Sequence, residues 1–173
     1  MSRQLTSKEL RAGKVSRAEF ATIPRRKISI VLDGIKSGSN LGNIFRVADA
    51  MRIEKVWVCG SESVFSTKFK RASRKIETWV DWECRDDAAA LVAELKRAGN
   101  SIVAMELCDE SKPLFSEKYT LPLVLVFGGE SSGVSSEVLS LCDGCVYLPM
   151  LGMGNSINLS NSVAIALYEA TRA

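Results

Sequence analysis

The sequence predicts an α/β protein with a mainly parallel sheet covered by helices on both faces. Short apolar runs rich in β-branched residues alternate with segments of helical periodicity from residue 28 onward. The runs are continuously apolar rather than alternating, as expected of strands buried on both sides. Ligands of such sheets sit at the carboxyl ends of strands, so the loops that follow strands are where a site is expected.

Each element follows from local signals. Residues up to about Arg26 read as one or two short helices and a linker, with Ser7 capping Lys8 to Ala12 and Gly13 stopping that helix. This divides the chain into a short N-terminal helical extension, 1–26, and one domain, 27–173. Ile28 to Leu32 is a buried strand. Asn40 to Met51 is a helix with Leu41, Ile44, Phe45, Ala48 and Met51 on one side, and Val56 to Cys59 is the next strand, ended by Gly60. Ser63 to Arg74 reads as helix, while Thr78 to Trp82 alternates like a half-exposed strand. Asp86-Asp87 opens a helix that runs to Arg97, with acids at its positive end and Lys96-Arg97 near its negative end, before Gly99-Asn100 breaks it. Ser101 to Leu107 is a strand, Asp109 to Thr120 a polar loop, and Leu121 to Phe127 the most hydrophobic strand. Ser135 to Leu141 is a short helix, Cys145 to Leu148 the last strand, and a closing helix runs from about Asn158 to Thr171.

Composition narrows the class. The chain has 173 residues, 46% hydrophobic and 25% charged, which is typical of a globular protein with one core. No apolar stretch approaches the roughly 20 residues that cross a bilayer, and Met1 to Thr6 lacks a signal-peptide core, so a cytoplasmic protein is expected. Five cysteines, an odd number, suit a reducing compartment. Cys142 and Cys145 form a lone Cys-x-x-Cys and are read as structural, with no metal expected. The complete lack of histidine excludes Ser-His-Asp and Cys-His mechanisms and any His-ligated metal. A net charge of +3 identifies no partner, but its distribution is uneven. Lys68, Lys70, Arg71, Arg74 and Lys75 fall in one window, and Arg25, Arg26 and Lys27 precede the first strand. On a helix Lys68, Arg71 and Lys75 share a face with Lys70 and Arg74 beside it, which makes either a solvated face or a phosphate-contacting patch.

Three loops after strands carry more polar side chains than turns require. The first, Ser37-Gly38-Ser39-Asn40-Leu41-Gly42-Asn43-Ile44-Phe45-Arg46, opens a helix. The second is Val126-Phe127-Gly128-Gly129-Glu130-Ser131-Ser132-Gly133-Val134. The third begins at Leu148-Pro149-Met150, passes Gly152 and Gly154, and gathers Ser156, Asn158, Ser160 and Asn161 at a helix start. One such side chain suffices to cap a helix, so the surplus points to a ligand that glycines let the backbone approach. No Gly-x-Gly-x-x-Gly follows the first strand, which argues against a dinucleotide-binding dehydrogenase.

In this order and spacing the three blocks resemble the signature motifs of the SpoU–TrmH family of RNA ribose 2′-O-methyltransferases, of the SPOUT class. Asn40, Gly42 and Arg46 match the Asn-x-Gly-x-x-x-Arg motif; Gly128, Glu130 and Gly133 match Gly-x-Glu-x-x-Gly; Pro149, Met150, Ser156 and Asn158 match the third. The resemblance covers about Ile28 to Ala173. It departs at Gly129, where the family usually has Asn, and at Ile157 and Leu159, apolar exchanges that spare the polar positions.

The resemblance implies S-adenosylmethionine as cofactor, tRNA or rRNA as substrate, a homodimer, and a C-terminal trefoil knot. The knot comes from the resemblance alone, because general topology rules predict an unknotted sheet. It further implies catalytic roles for Arg46, Asn40, Glu130, Ser156 and Asn158. Asn40 would cap its helix and orient Arg46, and Glu130 would fix the first motif or contact the nucleotide. The cofactor would be held by Phe127, Gly128, Gly129, Leu148, Met150, Ser156, Asn158 and Leu159. Since an arginine rarely releases its proton, either Arg46 or an RNA phosphate held by Arg46 takes the ribose proton. RNA would lie along Lys68, Lys70, Arg71, Arg74 and Lys75, with Arg25 and Arg26, and the dimer would use Val163, Ala164, Leu167 and Tyr168. Another SPOUT chemistry, such as base methylation, would lack this Asn…Arg motif. The alternative from a different class is a catalytically inactive RNA-binding or assembly protein that has kept the fold.

Overall fold

The computed structural model describes residues 2–60 and 64–172, and of Arg17 the backbone only. Its strands are β1 (Arg26–Asp33), β2 (Ile53–Cys59), β3 (Trp82–Arg85), β4 (Ser101–Met105), β5 (Lys112–Pro113), β6 (Leu123–Gly128) and β7 (Gly144–Tyr147). They pair in the order β3-β2-β1-β6-β4-β7-β5, and every pairing is parallel. Helices α1 (Ser7–Ala12), α2 (Arg17–Thr22), α3 (Gly38–Met51), α4 (Thr67–Ser73), α5 (Ala88–Arg97), α6 (Ser136–Leu141) and α7 (Leu159–Ala170) complete the fold. Among the described residues no helix is long and apolar enough to cross a membrane.

Alternation along the central strands divides the core in two. Ile28, Ile30 and Leu32 of β1 and Leu123, Leu125 and Phe127 of β6 face α3, α4 and α7. Val31, Val124 and Val126 point the other way, onto α5 and α6. Both faces are covered, which is why these strands read as unbroken apolar runs. The register brings the carboxyl ends level: Asp33 stands beside Gly128 and Cys59, and Met105 beside Phe127 and Val146. All three polar loops leave from this edge.

Several local expectations change. The first helix is capped by Thr6 rather than Ser7, because Thr6 and Glu9 form a reciprocal capping box. The second strand ends at Cys59 as expected but starts at Ile53 rather than Val56, and the helix expected over Ser63 to Arg74 shortens to α4; its expected start at Ser63 lies outside the described residues. Arg74 and Lys75 take left-handed conformations, φ 53° and 65°, so Lys75 leaves the helix and does not share a face with Lys68 and Arg71. The strand expected at Thr78 to Trp82 is a 3₁₀ turn at Ile76–Thr78 followed by β3. Its apparent alternation arises because Val80 tucks into the core and Trp79 packs edge-on against Phe20. The loop expected over Asp109 to Thr120 contains β5, where Pro113 sits on the sheet edge and β7 supplies the only pairing among the described residues. In α7, Val163 and Leu167 are fully buried in the chain's own core. They are therefore not a surface for a partner. The outward apolar residues of that helix are Ile165 and Tyr168.

Candidate functional site

A single hydrogen-bond relay joins the three polar loops. It starts at α7, where the Asn158 side chain caps the helix: its Oδ1 accepts from Ser160 N at 2.9 Å and from the buried Ser160 hydroxyl at 2.7 Å. Asn158 Nδ2 then donates to Asn40 Oδ1 at 2.9 Å, and Asn40 Nδ2 donates to Glu130 Oε1 at 2.8 Å. Glu130 also accepts from the backbone N–H of Lys36, at 3.1 Å, and of Ser37, at 3.2 Å. Partial burial pushes its carboxyl up, but hydrogen bonds from its own backbone, Asn40, Lys36 and Ser37 outweigh this and hold it below its ordinary 4.5. Glu130 thus fixes the first motif, one of the two roles open from sequence. Asn40 does not cap α3; Ser37 does, accepting from Asn40 N at 3.2 Å. The hydrogen bonds of the Asn40 side chain run to Glu130 and Asn158, and none to Arg46 is present among the described residues.

Glycines allow the second loop to fold onto its surroundings. A Cβ at Gly128 would lie 1.8 Å from Gly133 C, and one at Gly129 would lie 2.5 Å from the Gly34 carbonyl oxygen. Position 129 has no space for a side chain in this backbone arrangement. The far end of the loop is held by Asp33, whose Oδ2 accepts from Ser135 N at 2.9 Å.

Beside this relay lies a cleft of about 850 Å³. Phe127, Gly128, Gly129, Leu148, Met150, Ser156, Asn158 and Leu159, the whole expected cofactor set, line it, and so does Glu130. Sequence reasoning missed Met105, Glu106 and Leu107 at the end of β4, together with Tyr147 and Asn155. The end of β4 has no glycine beside it and matches none of the three motifs, so only its position at the sheet edge reveals it. The cleft combines apolar walls, backbone at strand ends and hydroxyl, amide and carboxylate groups. That mixture, and that volume, fit a nucleoside carrying an amino-acid tail.

Arg46 lies elsewhere. It is exposed on α3 and opens into a separate pocket of about 320 Å³ with Ser39, Asn43, Lys68, Arg71 and Arg74. None of these four cationic side chains makes a hydrogen bond or ion pair to a described side chain. The pocket exists because Gly38 and Gly42 bring α3 against α4: a Cβ at Gly42 would meet Ala72 Cβ at 2.6 Å and Ser73 N at 2.7 Å. Lys70 and Lys75 are exposed but lie outside the pocket lining. Arg25 is engaged within the fold, donating to the carbonyls of Ile53 and Trp79 and lying over the Phe20 ring. Arg26 donates to the Thr171 carbonyl at 3.3 Å, which ties β1 to the end of α7.

Comparison with known proteins agrees with this geometry. The SpoU rRNA Methylase family profile matches residues 27–168. The tRNA (guanosine(18)-2′-O)-methyltransferase of Thermus thermophilus is 31% identical over 145 residues, which cover 84% of this chain and 74% of that protein. The crystal structure of the A. aeolicus TrmH/SpoU tRNA modifying enzyme superposes with a TM-score of 0.81 at 31% identity, covering 89% of this chain and 78% of that one. An AdoMet-bound rRNA methyltransferase from Sinorhizobium meliloti gives 0.79 at 25% identity, covering 88% and 59%.

Proposed function

From the premise that this chain belongs to the SpoU rRNA methylase family, we propose how it works as an S-adenosylmethionine-dependent 2′-O-methyltransferase of tRNA or rRNA. The observation that carries the reading is the Ser160–Asn158–Asn40–Glu130 relay, which welds the three motifs into one wall of the cleft.

When bound, S-adenosylmethionine supplies a methyl group that already carries its leaving group, so no metal is needed for activation. The protein's work is alignment and proton removal. Phe127, Leu148, Met150 and Leu159 offer the apolar walls, and backbone groups of Gly128, Gly129, Leu148 and Met150 offer hydrogen bonds to the base and ribose. Ser156 and Asn158 complete the cleft toward the substrate hydroxyl. Asn40 and Glu130 act as positioning residues, since their side-chain hydrogen bonds run to each other, Asn158, Lys36 and Ser37. Arg46, with Lys68, Arg71 and Arg74, holds a phosphate of the RNA in the basic pocket, and that phosphate receives the ribose proton, because a guanidinium has no acceptor site of its own. Lys70 and Lys75 extend the path of the strand. Arg25 and Arg26 support the fold beneath it rather than grip RNA.

The active form in this reading is a cytoplasmic homodimer with the family's knot. Leu151 and Met153 are 99% and 101% exposed and stand with Ile165 and Tyr168 as large apolar groups in water, which a second copy would cover. The decisive experiment is methyl transfer from labelled S-adenosylmethionine to tRNA and rRNA transcripts, with the product mapped by mass spectrometry. Label should appear on a ribose 2′-oxygen and vanish when that nucleotide is 2′-deoxy. Cofactor binding with RNA binding but no transfer to total cellular RNA would favour the inactive assembly protein instead.

A further inference from the structure

We propose that Glu106 is the acceptor for the ribose hydroxyls of S-adenosylmethionine. The proposal rests on the cofactor occupying the cleft beside the relay. Glu106 follows the last residue of β4, and its backbone N–H donates to the Val146 carbonyl at 2.9 Å, so parallel pairing extends to it and fixes it at the sheet's carboxyl edge. Its partly buried carboxylate lines the cleft. Oε2 accepts from Val134 N at 3.0 Å, and Oε1 accepts from Leu107 N at 2.9 Å. A carboxylate has about four acceptor positions, so two are left for a ligand.

The other carboxylate and the relay amide in the cleft wall are more heavily engaged. Glu130 already accepts from Lys36 N, Ser37 N and Asn40 Nδ2, and Asn158 Oδ1 accepts twice from Ser160. Glu106 is also held still. Gly133, at φ 65°, lies so close that a Cβ there would sit 2.4 Å from Oε2. A ribose diol presents two donors, and a fixed carboxylate at the end of a parallel strand is a general way to receive them in open sheets. Such charge-assisted bonds are short and strong. Glu106 therefore has two linked tasks: it clamps the Gly133–Val134 turn and it reads the sugar.

The test measures binding of S-adenosylhomocysteine and its 2′-deoxy and 3′-deoxy analogues by calorimetry, without RNA. Wild type should bind at least one deoxy analogue about tenfold to a hundredfold more weakly than the parent. In Glu106→Ala the parent should weaken by a similar factor, and the deoxy penalty should fall to about twofold or less. Glu106→Gln keeps an acceptor for Val134 N and should retain the apo melting temperature while losing most of the discrimination. An undiminished deoxy penalty in both variants would overturn the assignment, as would a selective loss of discrimination against a further analogue that lacks the α-amino group, which would place the carboxylate on the amino-acid tail. Failure of the wild type to bind any of these compounds would overturn the cleft as cofactor site, a distinct result.

Discussion

Asn40 and Arg46 lie six residues apart on one helix, yet their losses should look different. Asn40→Ala removes two hydrogen bonds and leaves Glu130 and Asn158 each short of a partner. It should cost about 1–3 kcal/mol of stability and weaken cofactor binding together with turnover, as thermal melts and calorimetry would show. Arg46 is exposed, and its side chain has no hydrogen-bond partner among the described residues. Arg46→Ala should change stability by less than about 0.5 kcal/mol and leave cofactor affinity alone, while turnover falls well over tenfold. Glu130 adds a pH signature. Its folded carboxyl titrates below 4.5, so the stability its ionised form provides is complete above that value and is lost as pH falls through the lower, folded one. Cofactor affinity should therefore hold from neutral pH down through 4.5 in wild type and be lost only as pH falls through the lower, folded value. Glu130→Gln should bind weakly throughout, without that acid limb. An unchanged limb in the variant would assign it to another group.

At the scale of elements, glycine spacing decides what packs against what. Gly42→Ala drives a methyl into Ala72 and the α4 backbone, so despite alanine's better helix propensity we expect a net loss of about 1–3 kcal/mol and a distorted basic pocket. Gly128→Ala should act the same way on the second loop. Its Cβ collides with Gly133 and Val134 rather than with a ligand, so cofactor binding fails because the loop shifts, and the melting temperature falls too. α4 sets the RNA prediction. The productive cations are Lys68, Arg71 and Arg74, which share the pocket with Arg46. Their triple Ala variant should weaken RNA binding and lower the slope of log affinity against log salt by about 2, with cofactor binding untouched. A wild-type slope in that variant would make the cluster a solvated face.

The whole molecule raises the question of assembly. Since Val163 and Leu167 belong to the internal core, a dimer built on α7 would use its outward side and the loop before it. Tyr168→Asp and Met153→Asp should each shift sedimentation toward a monomer at micromolar concentration without lowering the apo melting temperature by more than a few degrees, because neither side chain is buried in the chain itself. A wild-type monomer in that experiment would remove the dimer from the reading.

The sequence by itself determined the fold class and the order of most strands and helices, while the eight residues that meet around the cleft came from the resemblance of its three motifs to a known family. Those signals are local: apolar runs, helical spacing, and polar side chains in excess at three strand ends. Only the tertiary structure decided what each polar group does. Asn40, next to a helix start, looks like a cap, but strand order puts β6 beside β1 and delivers Glu130 to its amide. Lys75 looks like a helix-face cation until the backbone turns left-handed at Arg74. Arg25 looks free until the Ile53 and Trp79 carbonyls are brought to it. Glu106 has no local sign at all, because its importance lies in standing at the edge where β4 meets β6 and β7. Residue type and spacing specify which hydrogen bonds a segment is able to make. The partner it finds depends on which distant segment the sheet sets beside it.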